Sequence, residues 1–134
     1  ILAGRTFGTG HLDGLGILLA LAVLFWIPTH ILTFSMRYFE DYRTAKIPTF
    51  PSIYGFEITR LTIAISSLIA ALSISTAGIQ IGLQGGFIRL LVVLSAGLVL
   101  LATATVFHPT ERVNFGLFKY ASVFMLCAML LLAI

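Results

Sequence analysis

Charged residues are scarce in this sequence, and cysteine is almost absent. Aspartate, glutamate, lysine and arginine make up 10% of the 134 residues, and Cys127 is the single cysteine. A soluble domain carries about 25% charged residues, so this composition excludes an ordinary water-soluble domain. Cys127 has no second cysteine to form a disulfide within the chain and no neighbouring metal ligands. We therefore expect it to contribute to packing.

Long apolar runs take the place of charge. Hydrophobic residues make up 59% of the sequence, and they gather in runs at approximately 15–36, 61–83, 87–107 and 115–134. A helix of about 20 residues rises about 30 Å, which is the thickness of the hydrocarbon core of a bilayer. Backbone groups in lipid must form their hydrogen bonds within the segment, as a helix allows. We predict an all-α integral membrane bundle of about four transmembrane helices, as a single transmembrane domain.

The basic residues predict how these helices are oriented. Six of the eight lysines and arginines fall on one side of the predicted membrane, namely Arg37, Arg43, Lys46, Arg60, Arg112 and Lys119. Arg5 and Arg89 fall on the other side. The positive-inside rule assigns the first group to the cytoplasm of a multi-pass protein in the cell membrane. Topology therefore explains the basic balance, and no nucleic-acid partner is expected.

The polar stretch before the first span suggests that the chain is part of a longer protein. The sequence begins at Ile1 rather than methionine, and Gly4 to Asp13 precede the first apolar run. We expect a C-terminal fragment. Within this stretch, His11 and Asp13 have no evident partner.

The longest polar interruption, residues 37–60, is the segment in which we expect chemistry. It holds seven of the thirteen charged residues, whereas the connections at 82–87 and 108–114 are short. At 100° per residue, a helix through its beginning would place His30, Arg37 and Asp41 within about 40° of one another, with Trp26 close to the same line. This stripe would extend roughly 16 Å from inside the membrane to its cytoplasmic surface.

The residue types along the stripe suit a lipid diphosphate. Glu40 and Asp41 offer the hard oxygen ligands that Mg²⁺ prefers. Phosphate oxygens are typical partners for cationic side chains such as Arg37, Arg43 and Lys46. An ionisable residue within a span, such as His30, usually faces a bundle interior or a wet cavity. We therefore predict a magnesium and diphosphate site at the mouth of the bundle.

Plainer explanations exist for the same residues. Arginine and lysine beside a span are ordinary topology signals. Glu40 and Asp41 would also be accounted for by ion pairs with their basic neighbours on a solvated loop. His30 would be accounted for by a hydrogen bond between helices.

The segment from Phe25 to Gly55 resembles the protohaem IX farnesyltransferase (haem O synthase) branch of the intramembrane, UbiA-type prenyltransferase family. Three features carry the resemblance: Trp26 followed by His30, then Asp41-Tyr42, then Ile47-Pro48 followed by Pro51 and Gly55. By this likeness, nearly the whole chain corresponds to helices six to nine of a nine-helix enzyme.

The resemblance implies Mg²⁺-dependent transfer of a prenyl group from a prenyl diphosphate to an acceptor ring, with protohaem giving haem O as the expected case. It implies catalytic roles for Asp41 and His30, and a metal-binding role for Asp41 with Glu40. It also implies substrate contacts from a set of neighbouring side chains: Arg37, Tyr42, Arg43 and Lys46. The family's other acidic motif has no match here, so we expect it in a missing N-terminal half and expect the isolated fragment to be inactive.

Two departures leave alternatives open. The proline in Ile27-Pro28-Thr29-His30 stands one place earlier than is usual in that branch, and Lys46 replaces a residue that is often small there. A prenyltransferase for a quinone precursor or a glycerol lipid is therefore an alternative. A non-enzymatic membrane subunit or half of a transporter is the alternative from another class.

Overall fold

The computed structural model describes residues 1–133, and this part of the chain is helical with no strand. The helices are α1 (Leu2–Thr9), α2 (Gly14–Arg37), α3 (Phe39–Thr44), α4 (Phe50–Ile81), α5 (Gly86–Phe107) and α6 (Glu111–Ala133). Four of them, α2, α4, α5 and α6, are long and apolar enough to cross a membrane. The predicted all-α membrane bundle is therefore confirmed. Its correspondence to helices six to nine of a longer enzyme stays a prediction.

The four long helices pack around a closed circuit. α2 lies between α4 and α6, and α5 lies between the same two helices on the opposite side. Many of the residues buried in the centre are alanines, including Ala22, Ala70, Ala102, Ala121 and Ala128. Small side chains let helix backbones approach closely, which matters in lipid because apolar side chains gain little by leaving hydrocarbon.

Hydroxyl groups add polar contacts between the helices. Thr29 on α2 and Ser67 on α4 are hydrogen-bonded at 2.9 Å, and the Ser75 hydroxyl on α4 donates to Ser95 on α5 at 3.1 Å. These polar side chains have a partner in a neighbouring helix instead of facing hydrocarbon, where no partner exists. Large apolar side chains such as Leu72 and Leu100 lie exposed on the outside of the bundle. That distribution fits a lipid environment.

Residues 37–60 are not one loop, as the sequence analysis predicted. α3 occupies part of this segment, and α4 already begins at Phe50. The start of α4 is favoured by the backbone N–H of Thr49, which donates to the Ser52 hydroxyl at 2.8 Å, and by Pro51 in the first turn. The polarity of this segment misled the prediction, because short amphipathic helices at a membrane surface are polar as well.

α4 contains a sharp break at Gly55. The backbone there has φ 81° and ψ 166°, a conformation that essentially only glycine adopts. The helix turns at this residue and then continues to Ile81 as the long buried span. Gly55 therefore sets the angle between the surface turn at Phe50 and the membrane-crossing part of α4.

Asp13 has a partner, contrary to the expectation from sequence. Its carboxylate accepts from the Arg5 Nε at 2.7 Å and from the backbone N–H of Gly16 at 2.9 Å. Asp13 thus caps the N-terminus of α2 and ties α1 to it. The hydrogen bond from Arg5 lowers the pKa of the Asp13 carboxyl to about 2, so this contact persists throughout the physiological pH range.

Replacing Gly55 by alanine tests the break in α4. A Cβ at Gly55 meets no atom within 4 Å, so the cost of Gly55→Ala comes from the backbone conformation alone. We expect the free energy of unfolding in mixed detergent micelles, followed by circular dichroism, to fall by about 1–3 kcal/mol.

Gly116→Ala is the matched control. Gly116 lies within α6, and a Cβ there also meets nothing within 4 Å. Alanine favours a helix interior over glycine by about 1 kcal/mol, so this variant should be slightly more stable than the parent. Equal stability of the two variants would show that the Gly55 conformation is not required.

Candidate active site

His30 lies in a stack of aromatic rings between α2 and α6. Its ring centroid is 4.9 Å from that of Trp26 and 4.6 Å from that of Phe118, and both pairs are stacked. The Ser122 hydroxyl lies 3.3 Å from His30 Nδ1. Residues four apart share a helix face, so Trp26 and His30 on α2 meet Phe118 and Ser122 on α6.

The tryptophan at one end of this stack is fixed by a hydrogen bond between helices. Trp26 Nε1 donates to the backbone carbonyl of Ala121 at 2.7 Å. Because the indole is held by α6 and the imidazole lies one turn further along α2, the rings keep their relative orientation. The stack is thus a preformed feature of the fold.

The stack borders an open apolar groove along α2 and α6. The groove has a volume of about 390 Å³, and its wall consists of Trp26, His30, Ser122, Met125, Leu126 and Met129. Methionine side chains are flexible and polarisable, so such a wall adapts to an apolar ligand. His30 Nδ1 and the Ser122 hydroxyl are the polar groups that these residues bring to the groove.

Arg37 lies further along the same pair of helices. Its guanidinium carbon is 3.9 Å from the centroid of the Phe115 ring, and its Nη1 is 3.1 Å from Glu111 Oε1. The predicted shared face of His30 and Arg37 is confirmed, since both side chains contact α6. The carboxylate partner of Arg37 comes from α6 and not from the Glu40 and Asp41 pair.

Asp41 does not continue the stripe on α2, and that part of the prediction is wrong. α2 ends at Arg37, and Tyr38 leaves helical geometry with φ −100° and ψ 27°. Asp41 follows on the separate helix α3. Phe39 packs against Phe56 of α4 with ring centroids 5.0 Å apart. Burying this ring against α4 turns α3 away from the axis of α2.

The acidic and basic residues of α3 are exposed, and two of them are paired. Glu40 Oε2 lies 2.7 Å from Arg43 Nη2, while both side chains remain more than half exposed. Exposed pairs of this kind contribute about 0–1 kcal/mol. The Asp41 carboxylate is exposed and forms no ion pair within residues 1–133. Asp41 is thus available to an external ligand, whereas Glu40 is engaged.

Lys46 has a backbone conformation that its residue type disfavours. Its φ is 56°, in the left-handed region. Its N–H donates to the Arg43 carbonyl at 3.1 Å, and the N–H of Ile47 donates to the Tyr42 carbonyl at 3.0 Å. This arrangement is a Schellman cap, which closes α3 and usually has glycine at the position of Lys46.

The described residues supply only part of a metal site. Within residues 1–133, no group of three or more histidine, cysteine, aspartate or glutamate side chains lies close enough together to hold a metal ion. Asp41 fits as one oxygen ligand, because its carboxylate is exposed and unpaired there. A complete Mg²⁺ site requires further oxygen ligands.

Comparison with known proteins identifies the family. The model of the UbiA prenyltransferase family matches residues 1–128. The chain belongs to this family. No solved structure matches it.

Curated relatives of this UbiA family chain are named protoheme IX farnesyltransferase. The Archaeoglobus fulgidus protein is 41% identical over 81 residues, which cover 60% of the chain and 28% of that relative. The Sulfurisphaera tokodaii protein is 31% identical over 134 residues, covering 98% of the chain and 43% of that relative. The chain therefore spans less than half the length of the relatives that it matches. The resemblance found from sequence motifs is confirmed.

The sequence analysis missed the α6 side of this UbiA site. Phe115, Phe118 and Ser122 contact the stripe on α2, and Glu111 pairs with Arg37. A signal was present, because these residues are spaced by three and four positions and lie on one helix face. The same helical projection applied to the last span would have indicated them.

Lys46→Gly should stabilise the protein, because glycine adopts the left-handed conformation without strain. An L-residue there costs about 1–2 kcal/mol, so we expect a gain of about 1 kcal/mol in the free energy of unfolding. Lys46→Gln removes the same charge and keeps the strain, so its stability should match the parent. A loss of stability in Lys46→Gly would contradict the cap assignment.

Proposed function

We propose that the protein is part of a prenyltransferase that transfers a farnesyl-like group from a prenyl diphosphate to a ring acceptor, with protohaem as the acceptor. Membership of the UbiA family and the names of the relatives support this proposal. The observation that carries it is the stack of Trp26, His30 and Phe118 beside an apolar groove. Transfer to a planar ring requires such a surface.

The groove is proposed to bind the acceptor. Aromatic side chains favour offset stacking with another flat ring, and the apolar wall excludes water. Water exclusion matters because a prenyl group leaving diphosphate develops positive charge, which water would quench. His30 would orient the acceptor through its ring nitrogens, of which Nδ1 is held near Ser122. The Trp26 and Phe118 rings keep the imidazole in place.

Helix α3 is proposed to bind the diphosphate at the cytoplasmic surface of the cell membrane. Bound Mg²⁺ would neutralise charge on the departing pyrophosphate. Asp41 would be one of its ligands, because its carboxylate is exposed and unpaired within residues 1–133. Arg43 and Lys46 are exposed beside it, and Tyr42 is half-buried between them. Glu40 would join the metal only after releasing Arg43.

Arg37 is assigned a smaller part in diphosphate binding than the sequence analysis gave it. Its guanidinium lies over Phe115 and pairs with Glu111. These contacts hold it against α6, whereas Asp41 is on α3. The remaining oxygen ligands and the other wall of the groove are proposed to come from other parts of the complete protein, since the relatives are more than twice as long as the chain.

Asp41→Asn tests the assignment of the metal ligand. In the complete protein, Mg²⁺-dependent prenyl transfer should fall by at least the roughly 10–100-fold that follows the loss of an outer-shell metal partner. Glu40→Gln is the control, since it removes the neighbouring carboxylate and only an exposed ion pair. Activity of Asp41→Asn equal to that of Glu40→Gln would contradict the proposal.

His30→Phe tests the acceptor site separately. Phenylalanine preserves stacking with Trp26 and Phe118 but removes both ring nitrogens. We expect a raised KM for the acceptor with an unchanged KM for the prenyl diphosphate, measured by steady-state kinetics. Ser122→Ala removes only the contact at Nδ1 and should have a smaller effect. An unchanged acceptor KM in His30→Phe would remove the imidazole from the mechanism.

A further inference from the structure

A second, smaller cavity lies inside the four-helix bundle, near α3. It has a volume of about 170 Å³ and is bordered by the end of α2, the beginning of α4, the end of α5 and the beginning of α6. We call it the arginine pocket, after Arg37 and Arg60 in its wall. Neither His30 nor Asp41 lines it, so it is separate from the groove and from the proposed metal ligand.

The arginine pocket contains one positive charge more than it can pair internally. Arg37 is matched by Glu111 at 3.1 Å. Arg60 is only partly exposed, and within residues 1–133 it has no carboxylate partner and donates no side-chain hydrogen bond. Its guanidinium carbon lies 5.6 Å from the centroid of the Phe56 ring. A guanidinium keeps its charge and has five N–H donors in a fixed fork, which suits an oxyanion.

Asn114 provides an independent indication of a ligand. This residue is 6% exposed, and its Nδ2 donates to the Thr33 carbonyl at 2.9 Å. Its Oδ1 is buried at the same cavity without a hydrogen-bond partner in the described part of the chain. Buried polar atoms nearly always have a partner. The pocket thus presents an unused acceptor together with unused donors.

We propose that the arginine pocket binds a phosphate-class anion, either free phosphate or the phosphate monoester headgroup of a lipid. At about 30 Å³ per water in the liquid, the cavity has the space of five to six waters, close to the five heavy atoms of phosphate. The phosphate oxygens accept from Arg60, with Arg37 as the second cation. The hydroxyl of monohydrogen phosphate donates to Asn114 Oδ1.

The role of Asn114 predicts discrimination between phosphate and sulfate. Both anions are tetrahedral and carry two negative charges near neutral pH, but sulfate has no hydroxyl to donate. A site with an acceptor for a ligand hydroxyl disfavours an analogue that lacks it, because the buried acceptor stays unpaired. Selectivity of this kind does not follow from positive charge alone.

The test is calorimetric titration of the protein in phosphatidylcholine nanodiscs with inorganic phosphate and, separately, with sulfate. We expect saturable phosphate binding and at least about tenfold weaker sulfate binding. Arg60→Gln should weaken phosphate binding about tenfold or more. Arg89→Gln removes the same charge from the first turn of α5, outside the pocket, and should leave the affinity unchanged.

Three results would overturn the proposal: no saturable phosphate binding, equal affinity for sulfate, or equal loss of affinity in Arg60→Gln and Arg89→Gln. If Arg60→Gln does not fold, Arg60→Lys keeps the charge but loses the fork, and it should bind phosphate more weakly than the parent. Nanodiscs that contain phosphatidic acid distinguish the two sources. Reduced phosphate affinity in these discs identifies the lipid headgroup as the occupant, and unchanged affinity identifies free phosphate.

Discussion

Polar contacts between α2 and α6 hold together helices from the two ends of the bundle. Trp26 on α2 donates to the Ala121 carbonyl on α6, and Asn114 on α6 donates to the Thr33 carbonyl on α2. Hydrogen bonds between membrane helices contribute about 0.6 kcal/mol on average, so neither is strong alone. Their importance is geometric, because they fix the rotation of both helices and thereby bring Phe118 against His30.

The same rotation of α6 is fixed from its other side by α5. The Tyr120 hydroxyl donates to the Leu94 carbonyl at 2.9 Å. Its ring lies so close to Gly97 that any side chain there would collide with the hydroxyl. Tyr120 and Ala121 are consecutive, so one turn of α6 is held by both neighbouring helices. The groove beside His30 therefore rests on a helix with little freedom to rotate.

The sequence was sufficient for some features of this arrangement and insufficient for others. Apolar runs indicated the four long helices, and helical spacing indicated that His30 and Arg37 share a face. The pairing of that face with Phe118 depends on contacts nearly ninety positions apart along the chain, and no local pattern specifies them. Arg60 looked like a topology signal, because only the folded bundle shows that it lacks a carboxylate partner.

The position of Asp41 depends on a chain of contacts that begins at Gly55. A helix as short as α3, with six residues, is not stable in isolation, so it requires external support. Phe39 provides this support by packing against Phe56, and Phe56 follows directly after the break at Gly55. The break directs the Phe56 ring to the place where Phe39 meets it. The glycine thus acts on the proposed metal ligand through packing, although it contacts neither metal nor substrate. This explains why a residue with no side chain belongs to the same sequence motif as Asp41.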